Sequence, residues 1–364
     1  MEELCKIIGE RCLSVFTDEQ ALDALNFRGE AAMPRIPDEL TWGICFTYRS
    51  RADAEANARH GGTAFLIGRP MDGVKDPTTG GPSYLIYAVT NYHVAWGGTP
   101  VLRIHRSDGV LHIVQLSQSD WLPHPNGDDL AVAFLSDKLV LPGEPPNKVM
   151  DATRFVPTRK FVTPEILTAH KVGLGDDIFM IGRFLNLQGT KDKLAPAVRL
   201  GSISSMEQPI WNSVTNKNQE SFAVEMRSRT GFSGSPVAVH RTDQKIPVPS
   251  NEYRGFPIEN WWWLLGINWG FINDKDTGEN TWLNGVVSAW KILEVMEEPQ
   301  LKDKHNSTTD MLKRHVFTST STATPAVALP ESEGALPADD VPPSDRERFN
   351  SLLTAAAQKR ERED

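Results

Sequence analysis

The chain has 364 residues, enough for about two ordinary domains. Hydrophobic residues make up 40% and charged residues 23%, so most of the chain can bury a core and wholesale disorder is excluded. A net charge of −9 argues against a general nucleic-acid binder, and no apolar run approaches the roughly 18 residues of a membrane helix.

Residues 1–41 read as a helical extension. Thr17 and Gln20 form a capping-box pair before an Ala/Leu-rich turn, and Pro34 and Pro37 end the pattern. Lys6, Glu10 and Arg11 interrupt the first apolar residues, so no secretory signal is expected. Cys5, Cys12 and Cys45 are too few and too clustered to staple a fold of this size. They read as free thiols in a reducing cytoplasm.

After Trp42 the texture changes. Runs rich in β-branched and aromatic residues at 63–67, 84–90, 101–105, 110–116, 130–135, 178–181, 222–226 and 264–269 are separated by Gly, Pro, Asn and Asp. Many short strands with turns between them predict an all-β sandwich or barrel. Ser107-Asp108-Gly109 reads as a hairpin turn. The Pro-rich stretch from Leu141 to Pro146 divides the β region. Two units are therefore expected, 42–140 and 166–298, joined by a linker over 141–165, and a helix over 290–298 closes the second. Residues 299–364 read as a low-complexity, mostly disordered tail: no aromatic residue lies between Phe317 and Phe349, and Pro, Ser, Thr and Ala fill the interval.

Three segments carry candidate chemistry. Val89-Thr90-Asn91-Tyr92-His93-Val94 is a strand ending in a histidine. Gly127-Asp128-Asp129-Leu130-Ala131-Val132 sets an acid before an apolar strand. Thr230-Gly231-Phe232-Ser233-Gly234-Ser235-Pro236-Val237 holds a serine in a glycine-rich turn. Singly, each has an ordinary structural explanation: a strand-end histidine, a turn aspartate, a tight loop. Together they supply what acyl transfer at neutral pH needs: a hydroxyl nucleophile, a base whose ordinary pKa lies near 7, and an acid that fixes the base's tautomer. Glycines beside Ser233 let the backbone turn sharply and aim N–H groups at a developing oxyanion.

These segments resemble the trypsin-like serine peptidases of the chymotrypsin fold, in particular the HtrA-like branch. TNYHV is similar to that branch's histidine motif, DDLAV to its aspartate motif and GFSGSPV to its nucleophile motif. Gly62-Thr63-Ala64-Phe65-Leu66, the Val172-Gly173-Leu174-Gly175-Asp176 segment with Ile181-Gly182, and Gly266-Ile267-Asn268-Trp269-Gly270 resemble the family's supporting strands. The resemblance covers about residues 42 to 295. It implies two packed antiparallel six-stranded β-barrels with the site between them, and a serine endopeptidase acting through an acyl-enzyme. It implies His93 as general base, Asp129 as its orienting acid with Asp128 as the neighbouring candidate, and Ser233 as nucleophile. The N–H groups of Gly231 and Ser233 would form the oxyanion hole, Asn268, Trp269 and Gly270 would pair with substrate main chain, and Arg227 would floor the specificity pocket.

Two departures from the digestive members and one from the HtrA proteins stand out. Phe232 replaces the acid that would bind a newly cut N-terminus, no disulfide framework is present, and no room is expected for a PDZ domain. Arg227 equally reads as a partner of Glu225 or a solvated residue. The Gly-Asp-Asp pairs at 127–129 and 175–177 sit at turns, so neither a metal nor a cofactor is expected. Trp261-Trp262-Trp263 reads as packing before a ligand platform. Expected partners are a protein or peptide substrate, without nucleic acid or membrane, and the tail is a candidate docking segment. The rival functions are a silent protease-like binding module and an esterase on the same scaffold.

Overall fold

A computed structural model describes residues 36–58, 61–76, 80–139, 152–184, 196–226, 231–240 and 262–321. Of the expected N-terminal helical extension, 1–35 lie outside the described residues. Near its end, Asp38–Trp42 forms one helical turn, α1. Cys5, Cys12 and Trp261 also lie outside. Cys45 is buried, and burial pushes its thiol far above the ordinary range, so it packs as a small apolar residue.

The first unit contains β1 (Ile44–Tyr48), the short helix α2 (Arg51–Ala56), β2 (Thr63–Lys75), β3 (Pro82–Thr90) and α3 (Tyr92–Trp96). It continues with β4 (Val101–His105), β5 (Leu111–Val114), β6 (Trp121–Pro123), β7 (Ala131–Phe134) and β8 (Val156–Pro157). Hydrogen bonding orders the sheet β5-β4-β1-β2-β3-β7-β6, and β8 pairs parallel to β2. The β4–β5 hairpin turns at Ser107-Asp108-Gly109 as expected, with Gly109 at φ 82° and Asp108 Oδ1 accepting the Val110 N–H. Six strands are implied for this unit, and eight are found among the described residues. One of the two additional strands lies in the expected linker, 141–165: its Pro-rich head gives no strand signal, yet Val156 is fully buried against β2. Phe161 then bridges to Leu264 of the second unit, so the described half of the linker is sheet-bound.

The second unit begins with α4 (Pro164–Ala169), capped by the Thr163 side chain. Then come β9 (Asp177–Arg183), β10 (Pro196–Asn212), β11 (Lys217–Met226), β12 (Pro236–His240), β13 (Trp262–Asn273) and β14 (Asn280–Ser288). They close a six-stranded barrel in the order β10-β11-β14-β13-β12-β9, antiparallel throughout. Helix α5 (Ala289–Glu297) closes it at nearly the expected place. The 17-residue β10 escaped the sequence reading. It carries Pro209, is largely half-exposed and is broken by two register shifts, so it lacks clean alternation.

One apolar cluster spans both units. It includes Phe65 and Ile67 of β2, Val132 and Phe134 of β7, Ile181 of β9, Leu264 and Ile267 of β13, and Ile292 and Val295 of α5. Each such side chain contributes about 1.5–3 kcal/mol on burial, so the core fixes how the units meet. Trp262 and Trp263 are buried in barrel packing.

A second helix, α6 (Pro299–Ser321), occupies the start of the segment read as tail. Leu301, His305 and Thr309 are buried at four-residue intervals, one stripe of the helix. His305 Nδ1 and the Tyr87 hydroxyl share a 2.9 Å hydrogen bond. Burial, and after it the Arg69 guanidinium, holds the His305 pKa below its ordinary 6.5. As pH falls, the unfolded imidazole therefore takes up its proton before the folded one. The stability this seat contributes is complete above pH 6.5 and is lost as pH drops from there toward the depressed folded value. His305→Gln, which keeps a hydrogen-bonding group and does not titrate, should show a shallower fall in urea midpoint between pH 7.5 and 5.5 than the natural chain. Equal slopes would refute this.

Candidate active site

His93 is delivered by the junction of β3 and α3. Asn91 is the N-cap, and its carbonyl takes the N–H groups of Val94 and Ala95. The Asn91 side chain donates to the Asp129 carbonyl at 2.7 Å, tying the start of α3 to the strand beside it. Asp129 is fully buried just ahead of β7, and both its oxygens go to one residue. Oδ1 accepts the His93 backbone N–H at 2.9 Å and Oδ2 takes the Nδ1 hydrogen at 2.6 Å. With Nδ1 carrying the hydrogen, Nε2 of the neutral ring keeps its lone pair. The ring is 25% exposed, enough to meet a solute.

Asp128 is drawn elsewhere. Lys291 Nζ of α5 donates to its Oδ2 at 2.8 Å. His124 Nδ1 stands 3.1 Å from the same oxygen, too oblique for a hydrogen bond. Burial pushes the Asp128 carboxyl up, and His124 and Lys291 outweigh it and hold it below the ordinary carboxylate range. Of the two neighbouring acids, only Asp129 meets His93.

Ser233 sits on the turn that leads into β12. Gly231 and Gly234 have φ of 105° and 86°, values that favour glycine. A Cβ on Gly234 would stand 1.9 Å from the Thr63 carbonyl oxygen. The turn is gripped on all sides. Thr63 N–H donates to the Ser233 carbonyl at 2.8 Å and Thr63 Oγ1 to the Gly231 carbonyl at 2.7 Å. The Phe232 carbonyl accepts from Ser235 N–H and from Asn268 Nδ2, both at 3.0 Å. Phe232 itself is buried in the barrel core, and Gly182 leaves room for it: a Cβ there would lie 2.7 Å from Phe232 Cδ1. Among the described residues, the N–H groups of Gly231 and Ser233 donate to no acceptor, and no hydrogen bond joins Ser233 Oγ to the His93 ring.

A cleft of about 490 Å³ runs between the two units. His93, Gly231, Ser233, Asn268, Trp269 and Gly270 all line it. The side chains of Asn268 and Trp269 turn inward, each about 1% exposed. The Asn268 main chain is also engaged, its N–H on Ser235 and its carbonyl taking the Gly234 N–H. Gly270, at φ 134°, borders open space. Arg227 lies outside the described residues. Sequence reasoning missed the supports of this site, Thr63 and Asn91. They stand inside the motifs, but their partners are distant in the chain.

Two β units, the second a closed six-stranded barrel, with this cleft between them, make the fold chymotrypsin-like. No family model and no curated protein matches the chain. Similar solved structures include the protease domain of MamO from Magnetospirillum magneticum, at 14% identity, 72% of this chain, 99% of that one and a TM-score of 0.41. Others are Rv3671c from M. tuberculosis (13%, 71%, 86%, TM-score 0.35) and an HtrA-type protease, AlgW, with a decapeptide (15%, 69%, 68%, TM-score 0.35). Among the described residues, no helix is long and apolar enough to cross a membrane, and no group of three or more His, Cys, Asp or Glu is placed to hold a metal.

Gly234→Ala and Gly109→Ala separate the two burdens on a left-handed glycine. Gly109, at φ 82°, has open space around its missing Cβ. Its substitution should cost about 1 kcal/mol from backbone strain alone. Gly234→Ala adds the collision with Thr63 and should cost roughly 2–3 kcal/mol or more, read by urea unfolding. Equal costs would show that the turn yields freely.

Proposed function

We propose that the chain is a serine endopeptidase that cleaves protein or peptide substrates through an acyl-enzyme. The observation that carries this reading is the two-pronged grip of buried Asp129 on His93, with Ser233 on the same cleft. In the proposed reaction the His93 Nε2 lone pair accepts the Ser233 hydroxyl hydrogen as Oγ attacks the carbonyl carbon. Asp129 stabilises the resulting imidazolium. The unengaged N–H groups of Gly231 and Ser233 receive the negative charge that develops on the carbonyl oxygen. His93 then returns the proton to the leaving amine, and water repeats the sequence on the acyl-enzyme. Substrate main chain lies along β13 beside Gly270, while the buried Asn268 and Trp269 side chains hold that strand in place. Arg227 is kept as the proposed pocket floor, favouring Glu or Asp before the scissile bond. The segment after α6 is a proposed docking tail, and the compartment proposed is the cytoplasm.

Ser233→Ala should abolish both casein hydrolysis and labelling by a fluorophosphonate probe while leaving the melting temperature nearly unchanged. Hydrolysis persisting in that variant would refute the assignment. Labelling without peptide cleavage, with small esters turned over, would favour an esterase.

Asp129→Asn should lower kcat by about 10⁴, since an amide holds the ring in the wrong tautomer. Asp128→Asn should leave kcat within about tenfold and act on stability instead, by loosening its pair with Lys291. The reverse ranking would move the role to Asp128.

A further inference from the structure

The back of Asp129 faces the other β unit. Its backbone N–H donates to Gln219 Oε1 of β11 at 3.0 Å. Gln219 Nε2 donates to Ser221 Oγ at 3.3 Å, and the Trp269 indole N–H donates to the same oxygen at 3.1 Å. Gln219 and Ser221 are two apart on β11 and share a face. All four residues are buried: Asp129 and Ser221 completely, Trp269 to 1% and Gln219 to 3% exposure.

The direction of this chain is fixed by chemistry. A peptide N–H and an indole N–H can only donate. Gln219 must therefore present its oxygen to Asp129 and its amide hydrogens to Ser221, whose two lone pairs take Gln219 and Trp269. A flipped amide would set donor against donor at Asp129. Buried polar groups are costly unless fully paired, so the chain holds one arrangement.

The same segment is clipped at neighbouring points. Lys217 Nζ donates to the Asn126 carbonyl at 2.9 Å, and Lys291 Nζ reaches both Asp128 and the Glu220 carbonyl. His124 Nε2 meets Glu294 of α5 at 3.0 Å, and Glu207 takes the Ser288 hydroxyl nearby. The charged groups at this seam thus have partners of their own, and Gln219 is the neutral contact to Asp129 itself.

We propose that Gln219 is a positioning residue that holds Asp129 against His93 through its main chain and, through Ser221 and Trp269, fixes it relative to the cleft strand β13. The kinetic part of this rests on the peptidase reading above, whereas the placement of Asp129 does not. In Gln219→Leu the Asp129 N–H loses its acceptor. Gln219→Glu keeps an oxygen there, and the Ser221 hydroxyl hydrogen can turn to meet the new group.

The test combines kinetics on a quenched fluorescent peptide taken from a casein cleavage site with proton NMR of the His93 Nδ1–H, assigned with His93→Gln. Active sites are counted with the fluorophosphonate probe. Gln219→Leu should lose the downfield Nδ1–H signal and drop kcat per titrated site about 100-fold, the scale of a small misplacement of a reacting group, with KM little changed. Gln219→Glu should restore the signal and most of the rate. A merely structural role would lower the number of titrated sites and leave kcat per site alone. An unchanged signal and rate in Gln219→Leu overturn the proposal. If that variant does not fold, Ser221→Ala decides in the same way, with a smaller loss expected and no change overturning it. If the natural chain cleaves no peptide but the signal is lost in Gln219→Leu and returns in Gln219→Glu, the peptidase reading fails and the positioning role stands.

Discussion

A carboxylate with no exposed surface is the constraint around which this molecule is arranged. Taking a charge out of water costs several kcal/mol unless donors replace the water. The Asp129 side chain has two donors, both from His93, and its main-chain groups are paired as well, the carbonyl with Asn91 and the N–H with Gln219. Each partner comes from a different place: the N-cap of α3, its first turn, and β11 of the other unit. Removing any of them leaves a buried polar group unpaired, which is the expensive direction of change. Satisfying the acid therefore positions the histidine, and the fold needs no separate device to do so.

The serine turn obeys a different constraint, one of space. Gly231 and Gly234 supply its two left-handed conformations, and the close packing at Gly182 and Gly234 leaves no room there for an added Cβ. Phe232 shows how the local sequence serves the larger fold. It sits between Gly231 and Ser233, yet its ring is a core residue of the barrel, so the turn is anchored from beneath by apolar burial. Polar anchoring comes from above, through Thr63 and Asn268. The carbonyls of Gly231, Phe232 and Ser233 are all taken by these contacts, and Gly231 and Ser233 both line the cleft.

Strands such as β3, β4, β7 and β13 were legible because β-branched and aromatic runs bounded by turn residues are local signals. The same holds for the α5 helix, and short motifs likewise mark His93, Asp129 and Ser233 as candidates. What was not legible is long-range. β8 lies in a stretch whose composition reads as linker, and only its pairing with β2 makes it a strand. β10 is half-exposed and irregular. α6 was hidden because its burial depends on a single stripe, Leu301, His305 and Thr309, meeting a surface no window of sequence contains. Gln219 and Lys291 carry no motif, and their meaning arises only when β11 and α5 come against residues 126–129. The distinction between Asp128 and Asp129 belongs to the same class, since adjacent identical residues differ only in what they face.

The two units hold each other's chemistry. Thr63, on β2 of the first unit, grips the Ser233 turn of the second through its N–H and its hydroxyl, while its own carbonyl takes the Thr90 hydroxyl two residues ahead of Tyr92 at the start of α3. Gln219, on β11 of the second, grips Asp129 of the first. Neither the serine turn nor the acid is fixed by its own unit alone. An open or partly docked arrangement of the units would thus loosen the Ser233 turn and Asp129 together, since the contacts that place them are the contacts that join the units. The cleft and the groups lining it are products of one seam, and that seam is closed by the apolar cluster running through β2, β7, β13 and α5. Hydrophobic burial supplies the free energy and the crossed polar grips supply the register. Close packing gives such a seam few intermediate positions, so the site's geometry comes with docking as a whole.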